Sequence, residues 1–259
     1  MAGRTGEAGA SVLERASRLL AALPADGAPV SLRDLAASAG LPVSTAHRIA
    51  AELVRLGQLD RGGDGLYVAG TRLWELGERA PIVRRLREAA NPELVDLYDR
   101  TGENAHLAVL VTGDGQAGEV LYLARATGAR AVPTLARVGV RHPVHGTGVG
   151  RAILAALPDA EAAPLLRAPL AQVTPFTIAD PVRLRAELSA TRDRGYALTR
   201  QEMSLGSASL ALSLAPRAGL PPAAIGVVTH LASADEKRLV PMLRRAAASI
   251  EARLDAWES

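Results

Sequence analysis

LPVSTAHRIAAELVRL, residues 41–56, decides how this chain is read. Gly40 closes the helix that precedes it, and Leu41-Pro42-Val43 is long enough only for a short connection. Ser44 then opens a new helix in which Ala46, Ile49, Leu53 and Leu56 recur at helical spacing and form the packing face. The other face carries Ser44, Thr45, His47 and Arg48. The hydroxyls of Ser44 and Thr45, with the free amides of a helix start, suit a phosphate oxygen. Arg48 lies four residues beyond Ser44 on the same face, where a guanidinium can grip a guanine edge bidentately. His47, beside it, can donate to a phosphate or a base. A plain surface helix capped by Ser44 would use the same residues, so the flanking segments arbitrate.

Upstream, Ser11 can cap a helix carrying Val12, Ala16, Leu19, Leu20 and Leu23 before Pro24 stops it. Asp26, Gly27 and Pro29 make a turn. Ser31 then starts a helix with Leu32, Leu35 and Ala36, and Asp34 completes a partial capping box. Downstream, Leu59–Arg61 and Leu66–Val68 are strand candidates around Gly62-Gly63-Asp64-Gly65, a run that accepts positive φ. Helix, helix, turn, helix, hairpin over residues 11–70 is the order of a winged helix-turn-helix. Its third helix would enter the major groove of double-stranded DNA, and Arg61 would stand at the base of a wing touching a neighbouring groove or the backbone.

Bulk charge does not carry this reading. The 259 residues hold 30 Lys and Arg against 27 Asp and Glu, a net +3. The first 80 contain nine arginines and nine acids, so the excess lies entirely beyond them. Two to four positive contacts per subunit give weak affinity, because affinity follows phosphate neutralisation. A dimer or a dimer of dimers, reading paired half-sites, is therefore expected. A chain 48% hydrophobic and 22% charged is too apolar for disorder. Having no cysteine, it has no disulfide, thiol nucleophile, iron–sulfur ligand or cysteine zinc site, and it fits a reducing cytoplasm. Residues 1–10 lack the basic-then-apolar order of a signal peptide, and no run approaches the roughly 18 uncharged apolar residues of a membrane span.

Residues 71–90, with Leu73, Trp74, Leu76, Ile82, Val83 and Leu86, read as a linker helix. Pro81 either starts a new helix there or kinks the old one, and Trp74 is assigned to a core. From 91 to 256 the texture is that of an α+β domain. Strands are expected at Asn104–Val111, Val120–Ala124, Gly195–Thr199, Ala208–Leu214 and Ala223–Val228, with a glycine-rich loop over Thr112–Glu119. Helices are expected at Thr147–Leu157, from Pro181, and at Ala234–Leu254. Gly146, Thr147 and Gly148 stand at a helix start, where free amides and a hydroxyl can hold a carboxylate; a turn serving chain geometry alone is the other reading. His106, on a β run, is read as packed in a satisfied hydrogen bond. His142 and His145 flank the turn and could meet a ligand or a metal, although two histidines alone are a weak ligand set. Tyr196 is assigned to a core.

The stretch LPVSTAHRIA resembles the recognition segment of the IclR family of bacterial transcriptional regulators, which reads like LPKSTAHRLL. Val43 replaces a common basic residue, which implies one lost phosphate contact. Gly65-x-Tyr67-x-x-Gly70-x-x-Leu73-x-x-Leu76-Gly77 resembles the family's wing and linker start, and the likeness continues to the chain's end. Residues 101–110, TGENAHLAVL, are similar to its TGE(T/S)xHLAVL strand. Arg137-Val138-Gly139 and residues 143–152, PVHGTGVGRA, are similar to its RVGxxxPxHxTAxGKA turn and helix. Arg194–Ala197 and Glu202-x-x-x-Gly206-x-x-Ser209-Leu210-Ala211 cover its GYAxDxEE and ExxxGxxCxA signatures. The resemblance implies a two-domain chain. A winged helix-turn-helix and linker helix would precede a GAF/PAS-like α+β domain with a central antiparallel sheet that binds a small organic acid or aromatic effector.

Departures from the family pattern shape the expected pocket. Thr199 replaces an aspartate, Ser209 a cysteine, and Gly226 and Val228 stand where two serines are frequent. The floor is expected at Gly146, Thr147 and Gly148, with Thr199, Ser209 and Gly226 near the ligand and Leu107 and Val228 as apolar walls. Such a pocket suits a ligand anchored by one carboxylate. There is no GxSxG elbow, HExxH or Walker lysine, so no catalytic residue, metal or cofactor is expected. The function implied is a DNA-binding regulator, a repressor in preference to an activator, controlled by that effector. The alternative is a constitutive DNA-binding or interaction protein whose second domain serves assembly alone.

Overall fold

In the computed structural model, which describes residues 10–112, 118–129, 131–167 and 169–257, the Ser11 hydroxyl accepts from the Glu14 amide at 3.0 Å and starts α1, Val12–Ala21. Ser31 caps α2, Leu32–Ser38, in the same way. Gly40, at φ +64, ends it, with Leu41 N–H on the Ala36 carbonyl and Gly40 N–H on that of Ala37. This closure needs a left-handed residue and turns the chain into α3, Val43–Arg55. Gly57 ends α3 by the same pair of bonds. The hairpin β1, Leu59–Arg61, and β2, Tyr67–Ala69, follows, and Val30 pairs with Tyr67. Leu19, Leu35, Ile49, Leu53 and Leu59 form the core of this unit, which ends with α4, Thr71–Glu78.

The chain divides between Ala80 and Pro81, and the second unit begins with α5, Pro81–Thr101. Then come β3, Asn104–Val111; β4, Glu119–Ala126; and β5, Arg141–Pro143. The helices α6, Gly148–Ala156; α7, Asp159–Leu165; and α8, Pro181–Arg194 separate these from β6, Ala197–Arg200. The chain continues with β7, Ser207–Ser213; β8, Ala223–His230; and α9, Glu236–Asp255. The six strands make one antiparallel sheet in the order β5-β4-β3-β8-β7-β6. On one face α5 and α9 bury Leu86, Leu97, Leu243 and Ile250 against Leu107, Val109, Ile225 and Val227. On the other, α6 and α8 bury Ile153, Leu184 and Leu188 against Ala108, Tyr122, Ala211 and Ala224. The sheet is covered on both faces, which places any cavity at its edges and helix ends.

Several boundaries differ from the sequence reading. Residues 71–90 are not one helix: α4 ends at Glu78, and Pro81 starts α5, which runs on to Thr101. Pro92 within α5 removes one backbone donor, but Leu86, Ala89, Ala90, Leu94 and Leu97 all bury along the same helix and hold it together. Trp74, expected in a core, is 69% exposed. The start of α4 is tied to the hairpin through backbone, Gly70 N–H to Gln58 O at 2.9 Å and Arg72 N–H to Gly57 O at 3.3 Å, and none of its side chains is buried. Tyr196 is only partly buried, and its hydroxyl donates to Glu236. The short elements β5 and α7 carried too little periodicity to be read. Of the loop expected over Thr112–Glu119, residues 113–117 lie outside the described residues.

Candidate functional site

In α3, Pro42 is the N-cap and the helix begins at Val43, so Ser44 does not cap it, as its position in sequence had implied. Proline's fixed φ favours a helix start one residue earlier. Ser44 thus sits in the first turn with no cap bond of its own, and the first-turn amides have no acceptor within the helix. Ser44, His47 and Arg48 are exposed and Thr45 is half-buried, while Ala46, Ile49, Ala50 and Leu53 are buried. Leu56, expected to pack inward, is the C-cap residue and is exposed, because the Gly57 turn leads the chain out of the helix there. Arg61 leans on the Tyr67 ring, its guanidinium carbon 5.5 Å from the centroid. The tip between the strands turns at Gly65, φ +81, with Leu66 N–H on the Asp64 carboxylate.

The second unit brings the start of α6 against β7. Thr147 is the N-cap, its hydroxyl accepting from Gly150 N–H at 3.0 Å. A Cβ on Gly148 would lie 2.5 Å from Ser209 Oγ and 3.1 Å from its Cβ, so the glycine lets the helix start lie against the strand without moving Ser209. Ser209 Oγ is buried and has no hydrogen-bond partner. A cavity of about 30 Å³ opens here, lined by Thr147, Gly148, Thr199, Ser209 and Val228, with Tyr122, Leu135, His142 and Met203 around them.

Three residues expected at this cavity lie elsewhere. Leu107 points to the opposite face of the sheet, into the α5–α9 core; side chains alternate along a strand, and its neighbour His106 takes the α6 side. Gly226 is roofed by α6: a Cβ there would meet Ala211 Cβ at 3.1 Å and Val149 Cγ1 at 3.2 Å. It seats the helix on the sheet. Gly146 gives its amide to the Pro143 carbonyl and faces Met203 Sδ, outside the cavity lining.

His106 is buried, yet its Nδ1 lacks the partner that had been expected for it. Its ring packs 5.0 Å from that of Tyr122, which meets His142 at 5.6 Å. Burial, with the Arg125 guanidinium in second place, pushes the His106 pKa down to about 3, and burial pushes the Tyr122 hydroxyl up. His142 donates to the Leu135 carbonyl at 3.0 Å and His145 to that of Ala171 at 2.9 Å, so both flanking histidines hold backbone. Among the described residues no group of three His, Asp or Glu side chains could hold a metal ion.

Sequence reading missed the pair that joins the cavity's two walls. Arg151, 1% exposed in the second turn of α6, grips both carboxylate oxygens of Glu202, one at 2.8 Å, and donates Nε–H to the His145 carbonyl. Glu202 also accepts from Ile178 N–H at 3.0 Å, and its backbone carbonyl from the Thr177 hydroxyl at 2.6 Å. Gln201 beside it is the one non-glycine residue at positive φ among those described, +59, and its side chain accepts from Gly206 N–H. One signal was available: an arginine inside the otherwise apolar run Val149–Ala155 requires a buried acid.

Comparison with known proteins agrees with this geometry. The family model described as the IclR helix-turn-helix domain matches residues 12–63, and that of the bacterial transcriptional regulator IclR C-terminal matches 82–252. Transcriptional repressor IclR of Escherichia coli is 31% identical over 217 residues, 83% of this chain and 78% of that one. An IclR homologue from Microbacterium hydrocarbonoxydans, solved in complex with 4-hydroxybenzoate, superposes with a TM-score of 0.83 at 37% identity, covering 95% of this chain and all of that one. The IclR protein of Thermotoga maritima superposes with a TM-score of 0.70 at 29% identity, over 93% of this chain and 98% of its own. Both units, in this order and over nearly the whole length, place the chain in the IclR family of DNA-binding bacterial transcriptional regulators.

Proposed function

We propose that this regulator represses transcription as a dimer or dimer of dimers and leaves its operator when a small organic acid enters the α6 cavity. The observation that carries the reading is Ser209 Oγ, buried and unpartnered beside the first turn of α6, whose leading amides have no acceptor within the helix. A carboxylate seated there satisfies the hydroxyl and meets the positive end of the helix. Val228, Tyr122 and Leu135 supply apolar contact for the rest of the ligand. A free volume of about 30 Å³ is close to one water, so a ring-sized acid enters by displacing the flexible Met203 and Leu135 side chains. The Microbacterium homologue's 4-hydroxybenzoate makes hydroxybenzoates the first acids to test. On DNA, Ser44 and Thr45 hold phosphate, Arg48 reads a base, His47 assists, and Arg61 supports the wing.

Footprinting across a genome locates the operator, and gel shifts with increasing acid then test release. The expected result is a retarded band that one of the acids abolishes saturably. If no acid binds in calorimetry while the operator is still bound, the second unit serves assembly alone. If purified protein raises transcript yield in vitro, the chain is an activator.

A further inference from the structure

A second cavity, of about 230 Å³, lies at the far end of α6. Its deep wall is aliphatic and comes from four elements and a turn: Leu86 of α5, Ile153 of α6, Leu254 of α9, and Leu214 with Ala223 where β7 and β8 part. All five are buried at the back of the cavity, and its open part runs along Leu157, Pro216, Leu220 and Pro221. The turn over residues 214–222 holds Pro216, Pro221 and Pro222, whose fixed φ keeps it from collapsing inward. Aromatic side chains are 3% of the chain, and no ring fills the gap.

The polar groups of the mouth are already engaged. The Ser213 hydroxyl donates to the Leu214 carbonyl at 3.2 Å. Arg217 donates to Asp255 at 2.8 Å and to the carbonyls of Ala215 and Glu251 at 3.0 Å. Glu161 stands at the rim, where its carboxylate opposes the entry of an anion. An empty apolar hole of roughly 150 Å³ stays dry and takes up benzene, so this one has room for a single substituted ring.

We propose that this cavity is a second ligand site, for a small uncharged apolar molecule of about one aromatic ring, chemically opposite to the acid proposed at the start of α6. It rests on none of the residues that argue for the acid. The two cavities both border β7, β8 and α6, and α6 is buried from Gly148 to Ala155, so an occupant here touches the same helix whose first turn lines the other cavity.

The test is titration of the full chain with toluene, read by calorimetry and by thermal shift, with benzoate as competitor. Saturable uptake of one toluene per chain is expected, with no displacement by benzoate. Leu220→Trp at the mouth and Ala223→Leu in the wall should each weaken uptake at least tenfold while keeping native circular dichroism. Thr199→Asp, in the other cavity, should leave it unchanged. Ala223→Leu risks misfolding, whereas Leu220 is half-buried on the turn and tolerates a larger side chain. Absence of saturable uptake overturns the proposal, as does uptake that survives Leu220→Trp in a folded protein. Uptake lost in Thr199→Asp puts the toluene in the other cavity, and displacement by benzoate contradicts the uncharged class.

Discussion

Arg48, Thr199 and His106 show how differently three single side chains act. Arg48 is exposed on the outer face of α3. Arg48→Ala should weaken operator binding by about 1–3 kcal/mol, the worth of one bidentate base contact, and weaken scrambled DNA less. Equal loss on both in gel-shift titration would make it a backbone contact. Thr199 lines the cavity proposed for the acid, as a neutral hydroxyl. Thr199→Asp brings a negative charge into a partly dry site and should weaken a monocarboxylate at least tenfold, about 1.4 kcal/mol, by calorimetry. His106 behaves through pH. Its ordinary pKa is 6.5, and in the fold it falls to about 3. Between these values the unfolded chain binds a proton that the native one does not, so stability falls as pH drops from 6.5 toward 3. His106→Phe should fill the same space and flatten that limb. Urea unfolding should show the variant gaining on wild type by roughly 1 kcal/mol per pH unit below 6.5.

At the scale of elements, α6 joins the sheet, the 201–206 turn and both cavities. Its glycines let it lie close, and Arg151 fastens it to Glu202. Two buried charges gain little net stability as a pair, but removing one strands the other. Glu202→Gln should therefore cost about 3–5 kcal/mol in chemical denaturation of the second unit, and Arg151→Met with Glu202→Leu should recover much of it. If the double variant is as poor as the single, the pair's hydrogen bonds to His145 and Ile178 matter more than its charge. Acid binding should fall in both variants, since Met203 and Ser204 of that turn line the cavity.

For the molecule as a whole, the balance of charge argues for assembly on DNA. The first 80 residues are neutral, so each copy neutralises few phosphates. A dimer with two to four contacts per copy should give a log–log salt slope of about −4 to −7 for operator binding, at about 0.9 per contact. A slope of half that, with one copy bound per site in sedimentation, would overturn the paired reading. No helix among the described residues is long and apolar enough to cross a membrane.

The sequence by itself determined what depends on near neighbours. The helix starts at Ser11, Ser31 and Thr147, the left-handed stops at Gly40 and Gly57, and the strand Asn104–Val111 each follow from caps, φ preference or alternation within a few residues. The family likeness of the recognition segment was equally local, and it placed Arg48 outward. Only the tertiary structure decided that Leu107 faces the α5–α9 core and away from the cavity, because alternation marks two faces without saying which one α6 covers. It also decided that Gly226 seats a helix, that Trp74 stays outside, and that Arg151 meets Glu202 across 51 residues of sequence. Those contacts join segments distant in the chain, where spacing carries no signal and packing alone selects the partner.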